Sequence, residues 1–257
     1  MRLLIGTSWK MNLTATQAAG YLDTLRPLVA DITDRDLFVL VPFTSIWVAR
    51  DHLAGSPVRW GAQDVHPLDA GPHTGDVSAP MLADLGCTYV EVGHFERRRA
   101  YGETDELVAA KVDAVQRWGM TAIVCVGEER RAPIEEVVDT VGRQLRLIGA
   151  GDPSHLVIAY EPAWAIGAGA HSAPAGWVGR VHAAIRVRLA AIEPRAARVP
   201  IIYGGSVAST TAPALLAQPD VNGLFVGRRA LDPRVFATIA HTAAAPEPGS
   251  GAQGDRA

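Results

Sequence analysis

A glutamate at the end of an apolar run is the first residue whose position suggests chemistry. Glu161 follows the apolar residues 156–160, and parallel α/β proteins keep reactive groups at the carboxyl ends of their strands. Residues 162–169 combine a rigid proline, an apolar middle and two flexible glycines, which is typical of a flap that closes over a site. A carboxylate under such a flap can accept a proton. A lone buried glutamate is more often paired with an arginine, so this interpretation needs further residues.

Two more polar residues follow predicted strands. Lys10 comes after the first apolar run, between Trp9 and Met11, where a lysine can reach into a central pocket. His94 follows the fourth run and has acidic residues on either side. A histidine at a helix N-terminus tends to stay neutral, because the helix dipole disfavours a second positive charge, and a neutral ring can still donate a hydrogen bond. Capping of the next helix is the structural alternative for His94.

Two glycine turns follow the last two predicted strands. Gly204 and Gly205 precede Ser206, and Gly227 precedes Arg228. We expect each turn to open a helix and to present backbone N–H groups to an anion. Barrels often build a phosphate site after strands seven and eight. Together with the lysine and the glutamate, the turns predict a site for a phosphorylated small molecule.

Eight apolar runs rich in Val, Ile and Leu alternate with segments of helical spacing. Runs without polar alternation are typical of parallel strands buried on both faces. Eight such units in 257 residues predict an α/β fold, a single (β/α)8 barrel over residues 1–242, although the pattern alone leaves a doubly wound sheet open. The predicted strands are residues 3–7, 37–41, 58–62, 89–92, 121–126, 156–160, 200–203 and 223–226. The clearest predicted helices are residues 15–30, 45–54, 106–118 and 134–148, the first capped by Thr14.

The composition limits the kinds of partner that this protein is expected to bind. The net charge is −3 with acids and bases interspersed, so neither a nucleic acid nor a membrane surface is expected to bind. No segment has the length of a membrane span, and the N-terminus turns polar too early for a signal peptide, so we expect a cytoplasmic protein. Cys87 and Cys125 are expected to be buried free thiols. Residues 243–257, rich in Pro, Gly and Ala, are predicted to be a disordered tail.

Histidine and aspartate also occur together in the segment after the third predicted strand, at His66, His73 and Asp76. Their spacing matches no known ligand motif, so a solvated or partner-contacting loop is favoured over a metal site. We expect no metal and no cofactor in this protein.

The sequence resembles the triosephosphate isomerase family along essentially the whole chain before the tail. The resemblance rests on the segments SWKMN, GAQDVHP, TGDVS, VGHFERR, YGETDE, CVGE, YEPAWAIG, YGGSV and GLFVG, in that order. This family is itself the standard example of a barrel enzyme with a glutamate base, a neutral histidine and a closing lid. The resemblance implies an aldose–ketose isomerase that acts on a small phosphosugar.

Roles for individual residues follow from this resemblance. It implies that Glu161 removes a proton from the carbon next to the substrate carbonyl and that His94 is the neutral electrophile. Glu96 matches the family's second acid beside Lys10, which helps to hold the phosphate and the enediolate oxygen. Thr74 lies where the family's third loop reaches a neighbouring subunit, which implies a homodimer. The implied substrate and phosphate contacts are Ser8, Lys10, Gly167, Ser206, Gly227 and Arg228.

Four positions depart from the usual family pattern. Ser8 replaces the asparagine of NWKMN, and Phe95 replaces the serine of HSERR. Ala168 replaces the usual lid threonine, and Arg228 replaces the second glycine of the last turn, where it either faces solvent or reshapes the pocket. The variants at Ser8 and Arg228, in TSWKMN and GLFVGR, look like those of a branch that isomerises tetrulose phosphates such as erythrulose phosphate. Because every residue with a role in proton transfer is kept, we expect triose phosphate as substrate, with a tetrulose phosphate as the alternative and a non-catalytic phosphosugar-binding barrel as the alternative of another class.

Overall fold

Eight parallel strands close into a barrel in their sequence order, so the doubly wound alternative is wrong. The computed structural model describes residues 2–148, 151–167 and 172–242. Five of the eight predicted strands have the predicted bounds, and the other three differ by one or two residues at one end. The strands are β1 (Leu3–Ser8), β2 (Arg35–Val41), β3 (Val58–Ala62), β4 (Tyr89–Val92), β5 (Thr121–Val126), β6 (Leu156–Tyr160), β7 (Ile201–Tyr203) and β8 (Gly223–Val226).

Helices fill the connections between the strands and cover the outside of the barrel. The four predicted helices are present, and each ends one or two residues earlier than predicted. Over the described part of the chain the helices are α1 (Ala15–Leu28), α2 (Ile46–Leu53), α3 (Ala79–Asp84), α4 (Phe95–Tyr101), α5 (Asp105–Arg117), α6 (Ile134–Arg146), α7 (Ala175–Ile192), α8 (Ala212–Leu216) and α9 (Pro233–Ala240). None of these helices is long and apolar enough to cross a membrane.

Side chains fill the inside of the barrel. The ring of Phe38 occupies the space beside Gly6, where an added Cβ atom would lie only 2.0 Å from it, so this position on β1 requires glycine. A larger apolar layer lies between the strands and the helices. The interior cluster consists of Leu4, Phe38, Leu40, Ile123, Cys125, Val157, Ala159, Ile202 and Phe225. Because the interior is packed, ligands have room only at the ends of the barrel.

Because side chains alternate along each strand, the pleat determines which of them point into the barrel and toward its ends. Tyr89 packs against the interior cluster, so Glu91, two residues further along β4, also faces the barrel axis. Ser8 faces inward from the end of β1 and meets Glu91. The two cysteines are buried and free, as the sequence predicts. The predicted tail, residues 243–257, lies outside the described residues.

Candidate active site

A cavity of about 830 Å³ opens at the carboxyl ends of the strands. Thr74 does not line it, since this residue is exposed on the loop after β3. The remaining residues that the sequence predicts for the site do line it, and they are Ser8, Lys10, His94, Glu96, Glu161, Gly167, Ser206, Gly227 and Arg228.

Glu161 is buried at the end of β6, with 5% of its surface exposed. Its backbone N–H donates to the Val126 carbonyl at 2.8 Å, which ties the residue to the end of β5. Gly204 leaves the space that the glutamate occupies, because a Cβ atom there would lie 2.6 Å from Glu161 Cγ. Burial and then the charge of Glu91 raise the pKa of Glu161 well above the ordinary carboxyl value. A raised pKa makes the ionised carboxylate a stronger base.

His94 is both a helix cap and a pocket residue, so the two interpretations of the sequence hold together. Its Nδ1 accepts the backbone N–H of Glu96 at 3.1 Å, at the start of α4. Burial, followed by the charges of Lys10 and Arg97, lowers the pKa of His94 to about 3. The ring is therefore neutral at physiological pH, and because Nδ1 accepts a hydrogen bond, its proton is assigned to Nε2.

The Nε2 atom of His94 lies 3.4 Å from Oε2 of Glu161. This contact is no salt bridge, because the ring is neutral. Within the described residues, Oε2 has no hydrogen-bond partner although it is buried. An unpartnered buried oxygen is costly, and such groups are found at sites that bind a ligand. A carboxylate and an N–H donor thus face the same small space.

Lys10 supplies the positive charge of the site. Its Nζ lies 2.8 Å from Oε1 of Glu96 and 5.3 Å from the centre of the Phe95 ring. The Phe95 ring is also in contact with the His94 ring, with their centres 4.7 Å apart and their planes tilted by 43°. The backbone of Lys10 has φ = 54°, a conformation that costs a non-glycine residue about 1–3 kcal/mol. Strain of this kind concentrates at functional sites, and here it directs the lysine into the cavity.

A second buried carboxyl, Glu91, belongs to the site and was not assigned a role from the sequence. Only 2% of its surface is exposed, and burial is the main cause that raises its pKa to about 7. Ser8 Oγ donates to Oε2 at 2.7 Å, and the Cys125 thiol donates to Oε1 at 3.5 Å. One signal was available, since Glu91 is a charged residue inside the otherwise apolar run of β4.

The two glycine turns differ from each other. After β8, Gly227 leads directly into a 3-10 turn, Arg228–Leu231, whose first N–H groups have no partner inside the turn. After β7, no helix begins until Ala212, so the expectation that both turns open helices is wrong for this one. The N–H of Ser206 instead donates to the carbonyl of Ala165 in the flap at 2.9 Å.

The start of the flap is anchored by hydrogen bonds to Glu128. Trp164 Nε1 donates to Glu128 Oε1 at 2.7 Å, and the Tyr160 hydroxyl donates to the same oxygen at 3.0 Å. The sequence left Glu128 without a role beyond structure, because the indole that binds it lies 36 residues away. Ala168 and Gly169, in the predicted flap, lie outside the described residues.

Two groups of side chains in the described chain are close enough to hold a metal ion. One consists of Glu91, His94 and Glu161, with ligand atoms within 4.8 Å of one another. The proton on Nε2 of His94 makes this atom a donor rather than a ligand, so the group does not suit a metal. The other, on the surface, is His66, His73 and Asp76. There His66 Nδ1 accepts the Leu68 N–H, so its Nε2 also carries the proton and is a donor rather than a metal ligand.

The closed barrel, with its ionisable cavity at the carboxyl ends of the strands, defines a (β/α)8 protein of the enzyme type. The chain belongs to the triosephosphate isomerase family, since the family model described as triosephosphate isomerase matches residues 3–243. Curated relatives agree with this assignment. The triosephosphate isomerase of Aquifex aeolicus is 40% identical over 250 residues, covering 94% of this chain and 100% of the relative. That of Thiobacillus denitrificans is 43% identical over 249 residues, covering 94% and 98%.

A solved structure shows the same fold. The crystal structure of triosephosphate isomerase from Bartonella henselae is similar with a TM-score of 0.82 and 35% sequence identity, and the match covers 93% of this chain and 98% of that one. The predicted family and fold are thus confirmed.

Proposed function

We propose that this chain interconverts dihydroxyacetone phosphate and glyceraldehyde 3-phosphate through an enediolate, with Glu161, His94 and Lys10 as its catalytic residues. Family membership and the relatives named triosephosphate isomerase support the reaction. One observation carries the assignment of residues. The unpartnered, buried Oε2 of Glu161 lies 3.4 Å from Nε2 of a neutral histidine, inside a cavity that Lys10 also lines.

Glu161 acts as the base in this proposal. Its carboxylate removes a proton from the carbon next to the substrate carbonyl and returns it to the neighbouring carbon, so the net reaction needs no oxidant or reductant. Nε2–H of His94 donates to the oxygen on which negative charge develops, and the Lys10 ammonium stabilises the same charge. Burial strengthens both interactions, because the cavity has a lower effective dielectric constant than water.

In this proposal the phosphate binds on the side of the cavity formed by the loops after β7 and β8. The N–H groups that begin the turn Arg228–Leu231 supply donors, and Gly167 and Ser206 add contacts from the flap and from the loop after β7. Arg228 is exposed at the rim of the cavity, where its guanidinium can pair with a phosphate. Ser8 lies on the floor of the cavity.

A homodimer in the cytoplasm is part of the proposal. Met11, directly after Lys10, is 98% exposed, which is unusual for a large apolar side chain and is consistent with a partner surface. The exposed loop that carries Thr74 is the second part of this surface. Both cysteines are buried and free, which is consistent with a reducing compartment.

The alternative of a non-catalytic binding barrel is not favoured, because a barrel that only bound a phosphosugar would not need a buried base beside a neutral histidine. The substitution Glu161→Gln tests the function. We expect kcat for triose phosphate to fall by about 10²–10⁴-fold, with substrate binding retained. Glu135→Gln, at an exposed position on α6, is the control and should leave kcat unchanged. Turnover near the wild-type rate in the Glu161 variant would refute the proposal.

A further inference from the structure

A second cavity, of about 360 Å³, lies between α6 and α7 on the outside of the barrel. Seven residues of these two helices line it, and none of them lines the candidate active site. Six of the seven belong to the C-terminal half of their helix. Because the helices of a barrel run back toward the amino ends of the strands, this cavity, the α6–α7 groove, lies toward the opposite end of the barrel from the candidate active site.

Three arginines give the α6–α7 groove a positive charge. Arg143 and Arg146 come from α6 and Arg188 comes from α7, while Asp139 is the single carboxylate among the lining residues. The groove thus has three positive charges against one negative charge, although the whole chain has a net charge of −3. Like charges three residues apart on one helix repel each other, so the cluster is costly unless an anion lies between the arginines.

The protein itself neutralises little of this charge. Arg188 lies 3.1 Å from Asp139, but the two side chains are 48% and 67% exposed, so water weakens the ion pair. Arginines in the last turn of a helix often donate to its free carbonyl groups. Within the described residues, Arg143 donates to the Thr140 hydroxyl and to no carbonyl, and Arg146 has neither a hydrogen bond nor an ion pair. Capping of α6 therefore does not explain these two arginines.

A glycine inside α6 makes room for a ligand in the groove. Glycine at an interior helix position such as Gly142 costs about 1 kcal/mol relative to alanine. Packing does not require it, because an added Cβ atom would lie 3.6 Å from Arg188 Nε, an ordinary contact distance. The missing side chain leaves space beside the Arg188 guanidinium, and Ala191 and Ile192 add an apolar part to the lining.

These features define the chemistry of the ligand. A guanidinium pairs with a phosphate through two parallel N–H···O bonds, so arginines on two helices can hold two linked phosphates between them. The cavity has the size of a small-molecule site rather than of a phosphate group alone. Its apolar part suits an organic group, and an arginine also stacks on the face of an aromatic ring. A nucleoside combines both properties.

We propose that the α6–α7 groove is a second binding site, which takes a nucleoside diphosphate with its phosphates between the arginines of α6 and α7 and its nucleoside against Ala191 and Ile192. The site is separate from the proposed isomerase chemistry, since the two cavities share no lining residue. A ligand that joins α6 to α7 also stabilises the folded chain by mass action.

Isothermal titration calorimetry of the full chain with ADP tests this proposal. The proteins compared are the wild type, Arg146→Gln, Arg188→Gln and the control Arg26→Gln, at an exposed position on α1. We expect the wild type to bind ADP with a Kd below about 1 mM. Each groove variant should weaken binding by about tenfold, because it loses a charge-assisted contact with a phosphate, whereas the control should bind like the wild type. Thermal unfolding followed by circular dichroism checks that each variant is folded.

Two results of this comparison would overturn the proposal. One is a wild type that does not bind ADP. The other is the same affinity in all four proteins, because the arginines of the groove would then contribute nothing to binding.

Two further variants distinguish the groove from other places where ADP could bind. Gly142→Leu keeps every charge and fills the cavity, so it should weaken binding at least as much as Arg146→Gln does. Wild-type affinity in the leucine variant would place the ligand outside the groove. Lys10→Gln removes a cation of the candidate active site and should leave the ADP affinity unchanged. Binding lost in Lys10→Gln but kept in Arg146→Gln would refute the proposal, because ADP would then occupy the active-site cavity.

Inorganic pyrophosphate tests the organic part of the ligand. It should bind at least about fivefold more weakly than ADP, because it makes no contact with Ala191 and Ile192. Equal affinities for pyrophosphate and ADP would contradict the nucleoside assignment. These measurements do not involve isomerase turnover, so their outcome is independent of the proposed function.

Discussion

Two buried carboxyls and one neutral histidine determine the chemistry that the cavity can perform. Glu161 and Glu91 are close together, and burial favours the protonated form of each. Burial and two neighbouring cations have the opposite effect on His94, where they favour the neutral ring. The site therefore holds a strong base next to an uncharged donor, which is the combination needed to move a proton between carbon atoms.

These pKa shifts predict the pH dependence of kcat/KM. Glu161 must be ionised to act as a base, and its raised pKa means that the ionised fraction falls as the pH drops through a range above 4.5, the ordinary value for glutamate. Activity should therefore decline on the acid side well above pH 4.5. His94, with its pKa near 3, should contribute no ionisation in this range.

Steady-state rates between pH 4 and 9 check this prediction, with circular dichroism at each pH to confirm that the protein is folded. An acid limb centred at the ordinary glutamate value would contradict the burial that we assign to Glu161.

The sequence predicted the position of a functional residue when that residue directly follows a predicted strand. Glu161, His94 and Lys10 each follow an apolar run, so their common location at one rim follows once the strands are parallel. The contact of Glu91 with Ser8 was not predictable, because the two residues lie 83 positions apart in the sequence and on strands that are not neighbours, β4 and β1. Contacts between side chains of distant strands depend on closure of the barrel, and no short stretch of sequence predicts which strands closure brings together.

Side-chain caps at the helix ends stabilise the layer of helices around the barrel. Thr14 accepts the N–H of Gln17, and the Gln17 side chain accepts the N–H of Thr14, so two otherwise unpaired donors at the start of α1 are satisfied. The sequence predicts this cap from the residue type and its position. The end of α1 was predicted two residues too late. Pro27 lies inside its last turn and lacks the N–H that would donate to the Asp23 carbonyl, which weakens this turn.

The cap of α1 gives a prediction for stability. Thr14→Ala should lower the free energy of unfolding by about 1 kcal/mol, since the first turn loses a side-chain acceptor. Urea unfolding followed by circular dichroism measures this loss. Thr24→Ala in the same helix is the matched control, because Thr24 donates to the Gly20 carbonyl within the helix and caps nothing. Equal losses in the two variants would contradict the importance of the cap.

Closure of the barrel gathers groups from five strands, β1, β4, β6, β7 and β8, around one cavity. The apolar runs and their spacing predicted this fold, because eight repeated units of similar length have few other ways to bury both faces of each strand. The repeated pattern of strands and helices does not predict the quaternary structure. The proposed homodimer would use exposed positions such as Met11 and Thr74, which the pattern of strands and helices does not single out.

The proposed homodimer predicts a solution mass of twice the chain's 27.3 kDa. Thr74→Arg should shift the mass toward that of one chain, because a bulky charge on the loop after β3 would be buried without a partner. Sedimentation equilibrium measures both. Thr238→Arg, exposed on α9, is the control and should leave the mass unchanged. A wild type with the mass of one chain would contradict the dimer.

The fate of the transferred proton tests directly whether Glu161 is the base. Isomerisation of dihydroxyacetone phosphate in D₂O should place solvent deuterium on the carbon next to the carbonyl of the product, because a proton held by Glu161 exchanges with solvent before it returns. The product is read by NMR for the wild type and for Glu161→Gln. We predict deuterium in the wild-type product and no exchange by the variant above the buffer rate. A wild-type product free of deuterium, or exchange by the variant at the wild-type rate, would contradict proton transfer by Glu161.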